Sequence, residues 1–346
     1  MEKSIQDIFN DWYETEGQDF SGVFSATGPD GIIYQQACGY RNKAEELPNT
    51  IDTAFAIASG TKLFTGLAVC KLIDEKKLSL EDKLCDLLPY DLGQIDKRIT
   101  VFHLLTHTSG VGDYIDEDDD NCDEQLQALY DKYPVQLWTE LKYYLQMITP
   151  LSPKFEPGER YGYSNSGFVL LGLVIEAVTG LSYQHFVYDN IIEPCKLTHT
   201  DYYRMDSLPS NTAFGYIILN EYTREWRTNI FSMPVLGGSD GGIFTCAADL
   251  DILWRAIFDN KILSEEMTQA FLKPHVTRSE KYGTSYGLGV YRKICDGKLS
   301  YYAIGGDSGV DFFTAYFPQS KIVVLALGNT DLNTFPLLDE MFNVLV

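Results

Sequence analysis

Strand-forming runs sit at both ends of this chain, and helical patterning fills the middle. Near the N-terminus, Val23-Phe24-Ser25-Ala26-Thr27 and Ile32-Ile33-Tyr34-Gln35-Gln36 flank Gly28-Pro29-Asp30-Gly31, a hairpin-turn composition. Near the C-terminus stand Ser300-Tyr301-Tyr302-Ala303-Ile304, Phe312-Phe313-Thr314-Ala315-Tyr316-Phe317 and Ile322-Val323-Val324-Leu325-Ala326-Leu327, with Pro318-Gln319-Ser320-Lys321 turning between the last two. An amphipathic helix over Met1 to Tyr13 precedes the first set, and a helix from about Thr334 to Val346 closes the chain. Between the two sets, Val101–Leu105, 125–148, Phe168–Val178 and Leu250–Phe258 read as helices, and Phe168–Val178 is apolar enough to be fully buried. The expectation is an α/β (α+β) fold: a mainly antiparallel five-stranded sheet flanked by helices, with a helical lobe inserted. Residues 1–75 and 231–346 would form the α/β lobe and 76–230 the mainly helical lobe, in one compact unit.

The chain has 346 residues, 45% of them hydrophobic, which is enough for a large buried core. It contains no apolar run of the roughly 18 residues that a membrane-spanning helix needs. Its N-terminal run shows no apolar signal core and no small-residue cleavage site, which predicts a cytoplasmic location. The net charge of −22 argues against nucleic acid or an anionic membrane as partner and leaves a small molecule or short peptide. Oligomeric state is left open. Seven cysteines are scattered, none in Cys-x-x-Cys or at zinc-ligand spacing with His, so most of them read as small core residues. The acidic run Asp116-Glu117-Asp118-Asp119-Asp120 lacks the Gly and distal Glu of a calcium loop and reads as a solvated loop. No metal and no organic cofactor is expected.

Ser59-Gly60-Thr61-Lys62 joins the apolar run Phe55-Ala56-Ile57-Ala58 to the helix-like run Leu63–Cys70. Residues three apart share one helix face, so an amine here lies beside a hydroxyl. The helix N-terminus adds free N–H groups and a partial positive charge, which favour a developing alkoxide or oxyanion. A desolvated Lys can lose its proton near neutral pH and act as a base. The competing reading is a helix-capping Ser and a solvated Lys, since about one such tetrapeptide arises by chance in a chain of this composition.

A second element, Tyr163-Ser164-Asn165, ends a loop that leads into the buried helix. A phenol beside a cationic Lys is expected to have a lowered pKa and to serve as base and proton shuttle. The Asn amide can donate to a substrate carbonyl and orient the Lys. A structural Tyr is the default among 23 tyrosines, so the pair takes its meaning from context.

Four stretches in order supply that context. They are Ser59–Lys62 with its helix, Ile99 through Leu104-Leu105-Thr106-His107-Thr108-Ser109-Gly110, Phe155-Glu156-Pro157-Gly158 through Tyr163-Ser164-Asn165 to Gly172, and Gly237-Gly238-Ser239-Asp240-Gly241-Gly242-Ile243 before Ala248-Asp249-Leu250. The ordered set resembles the serine β-lactamase-related family, which includes class C β-lactamases, penicillin-binding D-Ala-D-Ala carboxypeptidases, D-aminopeptidases and related esterases. The resemblance implies the β-lactamase/transpeptidase-like fold, with a cleft between its two lobes. It implies Ser59 as nucleophile, Lys62 as its activating neighbour, Tyr163 as general base and acid, and Asn165 as a positioning residue. His107 is read as structural, because the local sequence supplies neither an Asp partner nor a Gly-x-Ser-x-Gly elbow for a Ser-His-Asp triad.

The third catalytic element departs from the family pattern. Relatives carry Lys-Thr-Gly or His-x-Gly on a strand lining the cleft, and here the stretch is Ala303-Ile304-Gly305-Gly306-Asp307-Ser308-Gly309. The cation is missing and the small Gly305-Gly306 backbone remains. The N–H of Gly306 and that of Ser59 are expected to form an oxyanion hole. Arg160 and Lys293 are candidates to replace the cation. Asp307 near the cleft would disfavour a carboxylate and favour an amine-bearing or neutral substrate.

The function expected is acyl transfer through Ser59 on a small ester, amide or D-amino-acid peptide. The alternative is a catalytically weak binding or sensor protein that retains the penicillin-binding fold, a reading supported by the missing cation.

Overall fold

Alternation along the strands sorts side chains onto two faces and thereby makes two cores. On one face Phe24, Ala26, Phe313, Ala315, Phe317, Val324 and Ala326 are buried against Ile8, Phe9 and Trp12 of the first helix and Leu337, Met341 and Phe342 of the last. On the other, Val23, Phe312, Tyr316, Val323, Leu325 and Leu327 join the larger core of Leu67, Phe168, Leu171 and Trp254. The computed structural model describes residues 3–345 except Asp118, Asp120, Glu221, Tyr222 and Arg224, and leaves aside the side chains of Asp123 and Gln127. The expectations that fell on Met1, Glu2, Val346 and two of the five residues of the acidic run lie outside the described residues.

The sheet is antiparallel throughout and wider than expected. Its order is Gly31–Cys38, Gly22–Gly28, Ile322–Gly328, Val310–Phe317, Lys298–Asp307, Tyr291–Cys295, Thr284–Tyr286, Val276–Ser279. The N- and C-terminal sets meet where Val23 pairs with Leu327. The five expected strands are therefore part of eight. The three extra ones run from Val276 to Cys295, and two of them are only three or four residues long, too short and mixed in polarity for a period-two pattern to stand out.

The expected helices form, with ends set by local chemistry, except that 125–148 is helical only at its two ends, in Cys122–Lys132 and Leu145–Ile148, with short tight turns between them. Ile5–Thr15 begins with a capping box in which Ser4 and Asp7 satisfy each other's backbone N–H groups. Asn165–Thr179 begins with Ser164 Oγ accepting the Gly167 N–H and ends at Gly180 in the left-handed conformation (φ +73°). Thr61–Asp74 is buried nearly all round, as is the first part of Asn165–Thr179, so these two helices form the centre of the larger core. Among the described residues, no single helix is long and apolar enough to cross a membrane.

Candidate active site

Ser59 sits in a single tight turn, Ala58–Gly60, immediately before the helix Thr61–Asp74. Ala58 is held in the left-handed region (φ +43°), a strain worth about 1–3 kcal/mol that persists only when the surroundings over-determine it. Here they do: Thr61 Oγ1 donates to the Ala58 carbonyl at 2.7 Å, and the Ile57 N–H donates to the Ile243 carbonyl at 3.1 Å. The strand Lys298–Asp307 presses against the same turn. A Cβ at Gly305 would stand 2.2 Å from the Ile57 carbonyl oxygen and 2.9 Å from the Ser59 nitrogen, so only glycine permits this approach. Gly306, next in the strand, faces open space and lines the cavity beside Ser59.

Lys62 projects from the first turn of the helix onto the serine. Its Nζ donates to Ser59 Oγ at 2.9 Å, Asn165 Oδ1 at 2.7 Å and the Asp240 carbonyl at 2.7 Å. An ammonium has three protons, and each finds an acceptor. Lys62 is only 3% exposed, and burial pulls its pKa below the ordinary lysine value. Asp240, Glu117, Asp113 and Asp307 act in the opposite sense without overcoming it.

Tyr163 donates its hydroxyl to Ser59 Oγ at 2.7 Å. Its phenol does not carry the lowered pKa expected from a neighbouring Lys. Burial holds it well above the ordinary value, with Glu117 adding to the effect and the hydrogen bond to Ser59 opposing it. Lys62 Nζ faces the ring, 4.9 Å from its centroid, and spends its protons on other acceptors.

Asn165 is oriented from three sides. Its N–H and that of Ser166 donate to the two carboxylate oxygens of Asp113, each at 2.8 Å. Its Nδ2 donates to Glu117 Oε1 at 2.9 Å, which turns Oδ1 toward Lys62. Asp113 thus caps the helix that delivers Asn165, and burial pushes its carboxyl up to about 7. Asp240 supplies Lys62 with its carbonyl and accepts the Tyr114 hydroxyl on its carboxylate.

His107 lies behind the tyrosine. Its Nδ1 accepts the Ser164 N–H at 3.1 Å, and its ring sits 4.6 Å from that of Tyr163. Burial, with Lys62 and Arg278 adding to it, keeps the imidazole neutral. It has no carboxylate partner among the described residues, and it positions the Tyr163-Ser164-Asn165 backbone.

Two cavities lie near these groups, and Ser59 lines the larger of them. The larger, about 510 Å³, is bounded by Ser59, Tyr163, Gly306, Glu117 and Arg278. The smaller, about 50 Å³, is walled by Tyr114, Trp138, Tyr144, Asp240 and Asp307. Asp307 is half-buried, and desolvation pushes its carboxyl up to about 7. Neither candidate for the missing cation reaches the larger cavity. Arg160 stacks on Phe155, its Cζ 4.2 Å from the ring centroid, and Lys293 pairs with Asp339 at 3.1 Å. The acidic run is not simply a solvated loop either: Glu117 turns into the site, and Asp116 pairs with Lys154 at 2.6 Å.

A serine, lysine and tyrosine converging at a helix N-terminus beside an antiparallel sheet define the class of β-lactamase-like, penicillin-binding-protein-like serine hydrolases. A family model described as Beta-lactamase matches residues 10–344, and the chain belongs to that family. It is similar to Penicillin-binding protein 4* of Bacillus subtilis (strain 168), 29% identical over 300 residues, with 83% of this chain and 62% of that protein covered. It is also similar to the Teichoic acid D-alanine hydrolase of Staphylococcus aureus (strain NCTC 8325 / PS 47), 28% identical over 290 residues, with 84% of this chain and 65% of that protein covered. The chain thus spans a little under two thirds of the length of these curated relatives. Among solved structures, a penicillin binding protein from Bacillus halodurans superposes with a TM-score of 0.86 at 36% identity, over 99% of both chains.

Sequence reasoning missed Glu117, Asp113, Tyr114, Asp240 and Arg278 as site residues. Asp240 stands inside one of the four signature stretches and Asp113 just after another, so position relative to those stretches could have flagged both. Nothing in the local sequence marks Arg278.

Proposed function

We propose that this protein is a serine hydrolase that releases D-aminoacyl groups, carrying a free ammonium, from small esters or amides. The observation that carries the hydrolase reading is the convergence of Lys62 Nζ and Tyr163 OH on Ser59 Oγ, at 2.9 and 2.7 Å. When Lys62 is neutral, its two N–H bonds remain on Asn165 Oδ1 and the Asp240 carbonyl, and its lone pair is left facing Ser59. Lys62 then takes the serine proton as Ser59 Oγ bonds to the substrate carbonyl carbon. The N–H groups of Ser59 and Gly306 receive the oxyanion. Tyr163, a neutral phenol, gives its proton to the leaving oxygen or nitrogen as that bond breaks, which leaves a phenolate beside the Lys62 ammonium. In deacylation the phenolate takes a proton from the attacking water, and Lys62 returns its proton to Ser59 Oγ as the acyl bond breaks. Water attacks the acyl-enzyme by the same path in reverse. Tyr163 is the acid of this scheme and Lys62 its base, a division that follows from the opposite directions in which burial moves the two groups.

The substrate class rests on charge. Asp240 and Asp307 wall the smaller cavity and both act on Lys62, an arrangement that attracts an ammonium and repels a carboxylate on the acyl side. The D configuration is suggested by the similarity to the Teichoic acid D-alanine hydrolase. The test compares D-alanine p-nitroanilide, its N-acetyl derivative and the L enantiomer, with wild type and Ser59→Ala, while intact mass is recorded for a covalent acyl adduct. Turnover of the free-amine D substrate that vanishes in the mutant, with weaker turnover of the other two, is the expected result. Equal turnover of amine and N-acetyl forms would sink the ammonium reading. The absence of both turnover and adduct would favour the binding-protein alternative, for which the lack of a Lys or His in Ala303-Ile304-Gly305-Gly306 is the supporting feature.

A further inference from the structure

The larger cavity carries a charge that the proposed reaction does not use. Arg278 stands on the edge strand Val276–Ser279, exposed at the cavity wall. Of the residues lining that cavity, only Arg278 and Glu117 are charged, and Glu117 is already engaged by Asn165 Nδ2. Arg278 has no carboxylate within ion-pair distance among the described residues. Its guanidinium lies over the ring of Tyr291, Cζ 5.3 Å from the centroid, with the Tyr302 hydroxyl as a hydrogen-bonding neighbour. By contrast, Arg204 pairs with Asp206 at 2.7 Å and Arg255 with Asp251 at 2.9 Å. An aromatic face fixes the plane of Arg278 and leaves donors of its fork unpaired, the state in which a guanidinium binds a carboxylate or phosphate.

The side of the substrate it meets follows from Tyr163. The group that protonates the leaving atom must face the leaving group, and Tyr163 lines the same cavity as Arg278. Asp240 and Asp307 line the other, smaller cavity. We propose that Arg278 is the anion anchor of this site and binds a carboxylate or phosphate on the leaving-group side of the substrate. The preferred substrate is then a zwitterion, with an ammonium on the acyl part and an anion on the part released. Arg278 takes up, from a different strand, the electrostatic duty that the uncharged stretch Ala303-Ile304-Gly305-Gly306 cannot perform. The inference rests on the proposed hydrolase reading, and its test separates the two.

Two substrate pairs differ by one negative charge each: D-alanyl-glycine against D-alanyl-glycinamide, and D-alanyl-glycerol phosphate against D-alanyl-glycerol. They distinguish a carboxylate from a phosphate as the anion. Wild type is expected to favour the anionic member of at least one pair by about tenfold or more in kcat/KM, the range of a charge-assisted hydrogen bond. In Arg278→Gln that ratio should collapse toward one, with the loss in KM, and Arg278→Lys should restore part of it. A wild-type ratio near one in both pairs, or a ratio that survives Arg278→Gln, overturns the proposal. If no compound is turned over, the hydrolase reading fails by itself. Calorimetric binding of D-alanyl-glycine and of inorganic phosphate to Ser59→Ala, with and without Arg278→Gln, then decides the anchor: affinity lost with Arg278 supports it, and affinity unchanged rejects it.

Discussion

Lys62 and Arg278 are two cations of one site, the first bonded to Ser59 and the second on the wall of the cavity that Ser59 lines, and their surroundings differ in kind. Lys62 is buried on a helix, each proton matched to an acceptor held by another element. Arg278 is exposed on a short edge strand, stacked on a phenol and paired with no described carboxylate. Burial makes the first responsive as a base, because desolvation weakens its hold on a proton. Exposure leaves the second permanently charged and able to exchange water for an anion. The contrast separates chemistry from recognition: one cation should set kcat for every substrate, and the other should set KM for some.

The largest effect should come from the cation on the helix. Lys62→Met is expected to lower kcat by about three to four orders of magnitude on esters and amides alike, measured as steady-state turnover at neutral pH. A loss confined to anionic substrates would erase the division. Tyr163→Phe should cost about two to three orders of magnitude on an amide and less on an activated ester, because a good leaving group needs less proton donation. Equal losses on both would remove Tyr163 from the role of acid.

Gly305→Ala probes how the sheet meets the serine turn. The added Cβ would collide with the Ile57 carbonyl, and a destabilisation of about 1–3 kcal/mol in urea unfolding is expected, with kcat falling further than KM rises. A variant as stable and active as wild type would mean that the strand need not approach so closely.

The smallest effect should come from Asp307. Its carboxyl is pushed up to about 7, so it is neutral below that pH and anionic above it. Preference for an ammonium-bearing substrate over its N-acetyl form should therefore rise severalfold through pH 7 in wild type and stay flatter in Asp307→Asn. Stability moves in the opposite sense. The folded pKa lies above the unfolded value, so the folded state holds the extra proton between about pH 4 and 7 and loses stability as pH rises through that window. Asp307→Asn should gain stability relative to wild type at pH 8 and not at pH 4, as read from paired thermal melts.

Much of the fold is visible in local pattern. The terminal strands, the turn at Pro318–Lys321 and the helix around Phe168–Val178 each carry a period or a turn signal. The short strands Val276–Ser279 and Thr284–Tyr286 carry neither, and their pairing is fixed by neighbouring strands. The site divides in the same way. Ser59 and Lys62 are linked by helical geometry, which a spacing of three residues reveals. Glu117 looks like one member of a solvated acidic run until the loop turns it toward Asn165.

What the sequence determined by itself is the reactive element: a serine and a lysine on one helix face, and a tyrosine and an asparagine at the head of a second buried helix. Helix geometry acts within a few residues and leaves its mark in the order of the letters. Only the tertiary structure decided how those groups are charged and what they face. The acceptors that saturate Lys62 come from Asn165 and from the backbone of Asp240, and the cation of the larger cavity comes from an edge strand near the end of the chain. A carbonyl oxygen belongs to every residue, and a lone arginine in a short strand has no distinguishing neighbours in sequence. Desolvation and convergence arise when distant segments pack together, so their effects belong to the fold and cannot be read from any one stretch of it.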